Sequence, residues 1–228
     1  MRLSWKAAPI LVLCCLAACD NGLTGPGSLG QPSLRVVNAF TSPVDVLIDG
    51  NVVISPLAAG AISTAIAAPG NHILILRPSG SGTATSHSIT TATGALSTVA
   101  VVRSASGSIS SAVLDDTNSV VPAGATKVRV LHLAPNAGTL QVYRTQPDFQ
   151  TPISWQFPFN YQPDPNSLSA PFFQSTVGTW EVRVWQTPAD ASGWATAPVK
   201  VVIPLASGEK KTVLMLDKPG GGVRIELL

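Results

Sequence analysis

The chain carries one pattern of strand-like segments twice, and this repeat constrains its fold more than any other feature. The segment LRVVNAFTSPVDVLIDG is echoed in the second half by KVRVLHLAPNAGTLQVYR. Farther along, GNHILILRP is echoed by GTWEVRVWQ, and ALSTVAVVR by EKKTVLMLD. The offset between the copies grows from 94 at Arg35/Arg129 to 108 at Gly70/Gly178. The second copy therefore contains an insertion.

Apolar residues alternate with other residues inside both copies, which is the period of a β-strand rather than a helix. Trp180, Val182 and Val184 share one face of a predicted strand. The pair Asp49-Gly50 suits a tight hairpin turn, whose residues need positive φ. Gly and Pro occur 19 times each and divide the chain into short elements. We predict an all-β fold of two tandem immunoglobulin-like or transthyretin-like β-sandwich modules.

These patterns divide the chain into consecutive regions. The expected regions are a signal peptide (1–18), a lipidated cysteine with a flexible tether (19–33), a first β-sandwich module (34–118) and a second (127–228). The second module is expected to carry an aromatic, proline-rich insertion near 146–170. The tether is rich in glycine and proline without periodicity, and a coil of that length spans about 20 Å.

The N-terminus indicates export. A positive start with Arg2 and Lys6 precedes the apolar stretch 7–18, which is too short to span a bilayer as a helix. Leu16-Ala17-Ala18-Cys19 resembles the bacterial lipobox, which implies acylation of the Cys19 thiol and cleavage just before it. Cys14 and Cys15 would then leave with the peptide. The alternative is an ordinary secretory signal with a chance cysteine at the cleavage site.

Lipidation at Cys19 predicts a partner and a location. Acyl chains would hold the protein at a membrane of the cell envelope, either the outer membrane or a periplasm-facing membrane, or at the cell surface. Without Arg2 and Lys6, 12 Lys+Arg stand against 12 Asp+Glu. A nearly neutral chain argues against nucleic acid as a partner, because phosphate binding needs clustered cations.

The first copy resembles the bacterial family of domain of unknown function 4397. That family shows a Pro-x-Val-Asp-Val hairpin ending in Asp-Gly, matched here by 43–50, and a small-residue stretch before a Pro-Ala-Gly break. Asn38 stands where the family usually has histidine, whereas the second copy keeps His132, and Leu47 replaces tyrosine. The resemblance covers 34–114 well and 127–228 loosely. It implies secreted or lipid-anchored tandem β-sandwiches and assigns no catalytic residue.

The sequence contains no recognisable motif for binding a metal ion or a cofactor. His72, His87 and His132 lack metal-ligand spacing, and we place the first and third on strands and His87 in a loop. The pair Asp115-Asp116 with Asn118 lacks a glycine-bearing calcium loop. KPGGGVR lacks the context of a phosphate loop and is interpreted as a turn before the last strand. We predict no metal site, cofactor or catalytic residue.

Aromatic residues are concentrated in the second copy, where eleven of 13 lie between Tyr143 and Trp194. Exposed rings on loops of a rigid sandwich suit recognition of a sugar or a protein. The candidate ligand-binding rings are Phe157, Phe159, Tyr161, Phe172 and Phe173. The alternative is that these rings fold back and pack in the core.

The sequence thus favours a non-enzymatic, lipid-anchored protein of the cell envelope. It would act as a binding or scaffold module for an envelope polymer or protein, with a cell-wall or surface glycan among the candidate partners. An alternative is a carbohydrate-active enzyme that uses carboxylates of the insertion, such as Asp148 or Asp164. A further alternative is a purely structural spacer.

Overall fold

The structure is a computed structural model of the full chain. It describes residues 31–92, 94–114, 120–147, 172–185, 197 and 199–228, together with the backbone of 153–159 and 186. The signal peptide, Cys19 and most of the tether lie outside these residues. So do Tyr161, Asp115, Asp116, Asn118, Asp148 and Asp164.

The described part of the chain contains sixteen strands and no helix. The first half contains β1 (Ser33–Asn38), β2 (Val44–Ile48), β3 (Asn51–Leu57), β4 (Ile66–Ala67), β5 (Gly70–Pro78), β6 (Thr85–Thr91), β7 (Leu96–Arg103) and β8 (Ile109–Leu114). The second contains β9 (Ala125–His132), β10 (Leu140–Thr145), β11 (Ile153–Phe159), β12 (Phe173–Thr176), β13 (Gly178–Gln186), β14 (Val199–Leu205), β15 (Lys210–Asp217) and β16 (Val223–Leu227).

The strands form four sheets of four, and the order in the first half recurs in the second. Sheet A has the order β4-β1-β7-β8 and sheet B the order β3-β2-β5-β6. Sheet C, β12-β9-β15-β16, corresponds to sheet A, and sheet D, β11-β10-β13-β14, corresponds to sheet B. Even the parallel pair recurs, because β1 pairs with β7 as β9 pairs with β15. The predicted all-β class is confirmed.

Each half buries a core between its two sheets. In the first half, Val36 and Val101 of sheet A pack with Val46 and Leu74 of sheet B. In the second half, Val130 and Met215 of sheet C pack in one cluster with apolar residues of sheet D. Trp180, Val182 and Val184 face that second core, as their alternation predicts. The sandwich packing expected from the sequence is confirmed.

A third core joins the halves, because sheets A and C pack against each other through their remaining faces. Val37 and Val102 of sheet A meet Leu131 and Leu214 of sheet C in one buried cluster. Sheets A and C are therefore apolar on both faces, and β7 reads as five consecutive buried residues. The described body is a four-layer stack in the order B, A, C, D.

The strands give this stack two distinct ends. The chain enters β1 at Ser33, next to Leu96 at the start of β7. We call this the entry end. The segments that follow β1, β9 and β15 line one cleft together, so these strands end on the same side of the stack. We call this the cleft end. A six-residue strand is about 20 Å long, so the cleft lies at least that far from the entry point.

One local prediction is corrected by the structure. His87 lies in β6 rather than in a loop, with Nε2 at 2.6 Å from the Ser111 carbonyl oxygen. β11, which is the counterpart of β3, lies inside the range 146–170 predicted for the insertion. In β16, Arg224 and Glu226 are half-buried, and Arg224 donates to the carbonyl of Gly60 in the first half.

Candidate functional site

The residues matching the family hairpin motif hold the first half together. Asp45 accepts hydrogen bonds from Ser55 Oγ and Ser79 Oγ, both at 2.7 Å, and from Arg77 at 3.1 Å. The bonds from Ser79 and Ser55 are the main reason why the pKa of this carboxyl is lowered. With all these donors engaged, Asp45 is a structural carboxylate.

Asp49 has a similar structural role at the hairpin turn. Its φ of 51° and that of Gly50, 81°, are the left-handed values that the turn prediction requires. Its carboxylate accepts the Ile73 N–H at 2.9 Å and meets His72 Nδ1 at 2.7 Å. The hydrogen bond with His72 is the largest cause of the lowered pKa of Asp49 and of the raised pKa of His72.

Asn38 and His132 occupy the same place in the two halves and make the same kind of contacts. Asn38 Oδ1 accepts the Phe40 N–H at 3.0 Å, and its amide donates to loop carbonyls, including that of Ser42 at 3.0 Å. His132 Nδ1 accepts the Ala134 N–H, and its Nε2 lies 2.5 Å from the Gly138 carbonyl oxygen. Burial lowers the pKa of His132, opposed by the bond to Gly138. The histidine is thus a neutral loop anchor, which explains why asparagine can replace it.

Two of the five candidate aromatic rings are described, and both lie near the start of β12. Phe172 is half-buried, and the Arg129 guanidinium carbon lies 4.4 Å from its ring centroid. Phe173 packs against the core of the second half. For Phe157 and Phe159 only the backbone, in β11, is described, and Tyr161 lies outside the described residues. A ligand-binding role for these five rings stays a prediction.

A cleft of the described surface lies at the end of the inner sheets. It has a volume of about 320 Å³. The first half contributes Ala39–Thr41 and Ala59–Gly60, and the second contributes Asn136 and the loop 217–222. Since both halves line it, this cleft exists only because sheets A and C pack together.

Close backbone approach at Gly60 forms one wall of the cleft. A Cβ atom at this position would lie 3.1 Å from the Asp217 carbonyl oxygen, and the φ of Gly60 is 75°. Both the contact and the left-handed backbone favour glycine. The close approach at Gly60 therefore places the loop after β3 directly against the end of β15.

Asp217 places a half-buried carboxyl in the cleft. Burial raises its pKa, while hydrogen bonds from Asn136 and the charge of Arg103 oppose the rise. The Asn136 amide donates to its Oδ2 at 2.8 Å. Its neighbours Lys218 and Arg224 add cations, so the cleft mixes charges of both signs.

The loop Lys218–Gly222 separates this cleft from a second cavity of about 250 Å³, which we call the side cavity. The side cavity is lined by apolar side chains of the second half, including Leu140, Trp185 and Val199. Lys218, Gly221 and Gly222 line both spaces. The prediction that this glycine-rich segment forms a turn is confirmed, because it connects β15 to β16.

Sequence reasoning did not select Asn136, Asp217 or Lys218. One signal was present in the repeat, because the strand VVR of the first copy aligns with MLD of the second. Arg103 and Asp217 therefore occupy corresponding strand ends with opposite charges. Nothing in one sequence shows that the two ends face the same cleft, which depends on how the halves pack.

Two further features are absent from the described residues. No group of three or more His, Cys, Asp or Glu side chains is arranged there to hold a metal ion. Among the same residues, no helix is long and apolar enough to cross a membrane.

Comparison with known proteins bears on the first half above all. No curated protein matches the chain. A family model does match residues 32–143, a range that runs from just before β1 into β10. The model is that of a domain of unknown function, DUF4397. The match supports, over residues 32–143, the family indicated by the hairpin motif.

Proposed function

We propose that the chain is a non-enzymatic, lipid-anchored protein of the cell envelope that acts as a binding or scaffold body for an envelope polymer or protein. One observation carries the proposal: the shared core of sheets A and C fixes a cleft at the end of the stack opposite to the chain entry. A chain anchored through Cys19 would enter near the membrane and present the cleft away from it.

The two halves are, in this proposal, tandem modules of one family, with predicted boundaries at 34–118 and 127–228. The repeated strand order supports this. A matched pair of side-chain contacts supports it too, because Arg35 donates to Thr98 Oγ1 at 3.0 Å as Arg129 donates to Thr212 Oγ1 at 2.9 Å.

The anchor is tested by replacing its cysteine. We expect labelled palmitate to be incorporated into the wild-type protein and the protein to sediment with membranes. Cys19→Ala should lose both properties, since no other residue of the resembled lipobox carries a thiol that survives cleavage. A wild-type protein that is unmodified at position 19 would refute the anchor.

The binding role is tested by cross-linking in cells that make the full-length protein. A photo-cross-linking amino acid at Asn136, in the cleft, should give covalent adducts with envelope material. The same amino acid at Asn51, on the exposed hairpin at the entry end, is the control. Equal adducts from both positions, or none from Asn136, would contradict binding at the cleft. Substrate turnover abolished by a single side-chain substitution would favour the enzyme alternative.

A further inference from the structure

We propose that the cleft and the side cavity form two adjacent subsites for a neutral saccharide of the envelope. The inference rests on the proposed binding function and names its ligand class. The 320 Å³ cleft lies at the small end of the roughly 300–1,000 Å³ typical of ligand pockets. The side cavity adds a second space of about 250 Å³ beyond the shared loop.

The polar groups of the cleft suit hydroxyl groups. An ionised carboxylate has about four acceptor positions on its two oxygens. Asn136 donates to Asp217 through its side-chain amide, to Oδ2, and through its backbone N–H. The Asn136 amide oxygen is a further acceptor and its nitrogen a donor. Sugar hydroxyls donate and accept at once, so they match this mixed set, whereas an apolar ligand would exclude water from the carboxylate without replacing the hydrogen bonds of that water.

The apolar surfaces suit the less polar faces of a sugar ring. Phe40 is half-buried against the core of the first half and lines the cleft. A ring held in place by packing, as Phe40 is, offers flat contact area at little cost in conformational entropy. The side cavity adds the apolar residues Leu140, Val184 and Val199.

The surrounding charges favour a neutral ligand over an ionic one. Opposite charges at this end compensate each other, because Arg103 lies close enough to Asp217 to lower its pKa and Arg224 pairs with Glu226 at 2.8 Å. The glycines of the loop are fully open, since a Cβ at Gly220, Gly221 or Gly222 would meet nothing within 4 Å. A ligand can therefore approach this backbone closely and pass from one subsite to the other.

The test uses the purified full chain, labelled with ¹⁵N, and titrations with maltose, cellobiose and diacetylchitobiose up to concentrations on the order of 10 mM, a range that detects weak binding. At least one disaccharide should shift the amide signals of Asn136 and of residues 218–222, which line the two cavities. No shift with any of the three, or shifts only at residues outside both cavities, would overturn the proposal.

Variants locate the interaction. Asp217→Asn should weaken the affinity about tenfold or more, because a hydrogen bond to a charged acceptor is lost. Glu209→Gln, a carboxylate-to-amide change at the entry end, is the matched control and should bind as the wild type does. An unchanged affinity in Asp217→Asn would overturn the assignment.

A second pair of variants keeps the test decisive if Asp217→Asn fails to fold. Phe40→Leu keeps an apolar side chain but removes the ring face, so it should bind more weakly, while Phe40→Tyr should bind like the wild type. Equal affinities for these two variants would count against the subsite. If cross-links from Asn136 persist while all three sugars fail, the saccharide inference falls and the binding function stands.

Discussion

Replacing Leu131 with alanine should destabilise both halves of the protein at once. Leu131 is fully buried in β9, and its side chain belongs to the core between sheets A and C. The substitution therefore opens a cavity that residues of both halves line, although the residue itself belongs to the second half. Val130, its neighbour in β9, faces the opposite way, into the core of the second half alone.

The expected loss follows from what is removed. The three side-chain carbons account for about 2.4 kcal/mol of transfer free energy at roughly 0.8 kcal/mol each. An unfilled cavity adds to this, so a total of about 3–4 kcal/mol in the free energy of unfolding is expected. For a chain of this size, 1 kcal/mol corresponds to about 2–4 °C in Tm. The Tm should therefore fall by about 6–16 °C.

Separate probes for the two halves make the prediction sharp. The four tryptophans downstream of Trp5 all lie in the second half, so tryptophan fluorescence follows the unfolding of that half. Hydrogen exchange at amides of β1 and β7 follows the first. In Leu131→Ala both probes should shift to lower urea together, because one shared core couples them. A first half that unfolds at its wild-type midpoint would refute the four-layer stack and favour two independent modules.

Three further predictions concern single residues. His132→Asn should keep the fold, because asparagine serves the equivalent role at Asn38, whereas His132→Ala should lose about 1–3 kcal/mol by leaving the Ala134 N–H and the Gly138 carbonyl unsatisfied. Since the pKa of His132 is lowered in the folded state, its neutral form stabilises the protein fully above its ordinary pKa of 6.5, and this contribution is lost as the pH falls through the lowered value. The urea midpoint should thus decline less between pH 7 and 4 in His132→Asn than in the wild type. His72, whose raised pKa gives a pH dependence of the opposite sign, contributes equally to both proteins and cancels in this comparison. Gly80→Ala should lower the free energy of unfolding by about 1–2 kcal/mol, because Gly80 has a left-handed φ of 81°. Gly60→Ala should lower it more, because its Cβ would also press on the Asp217 carbonyl oxygen. Equal losses for the two variants in urea denaturation would count against that contact.

Much of the fold could be predicted because strand signals are local. The alternation in β13 and the Asp49-Gly50 turn each depend on a few neighbouring residues, and both are as predicted. The correspondence of the two halves was also visible, since repeats need no knowledge of contacts. His87 was misplaced because the Ser/Thr-rich segment around it has a polar composition, although its alternate burial is that of an edge strand.

The packing of the halves was missed, although the sequence contains a signal for it. The runs TVAVV in β7 and TVLML in β15 are apolar without alternation, which is typical of strands buried on both faces. In a two-layer sandwich one face of each strand would meet water. These runs therefore required a third layer on sheets A and C, and each half supplies that layer for the other.

The candidate site could not be predicted because it depends on a difference between the copies rather than on their likeness. Positions that both copies share make the same stabilising contact once in each half. Examples are the Arg–Thr contacts of the inner sheets and the loop anchors Asn38 and His132. At the cleft end the copies diverge, with Arg103 in one and Asp217 in the other, and the charge of the first lowers the pKa of the second. A duplicated fold that packs its copies side by side places such divergent strand ends next to each other. Residues that differ between the copies at this end are therefore where a specific function is expected, and the carboxylate of Asp217 is the first of them to replace.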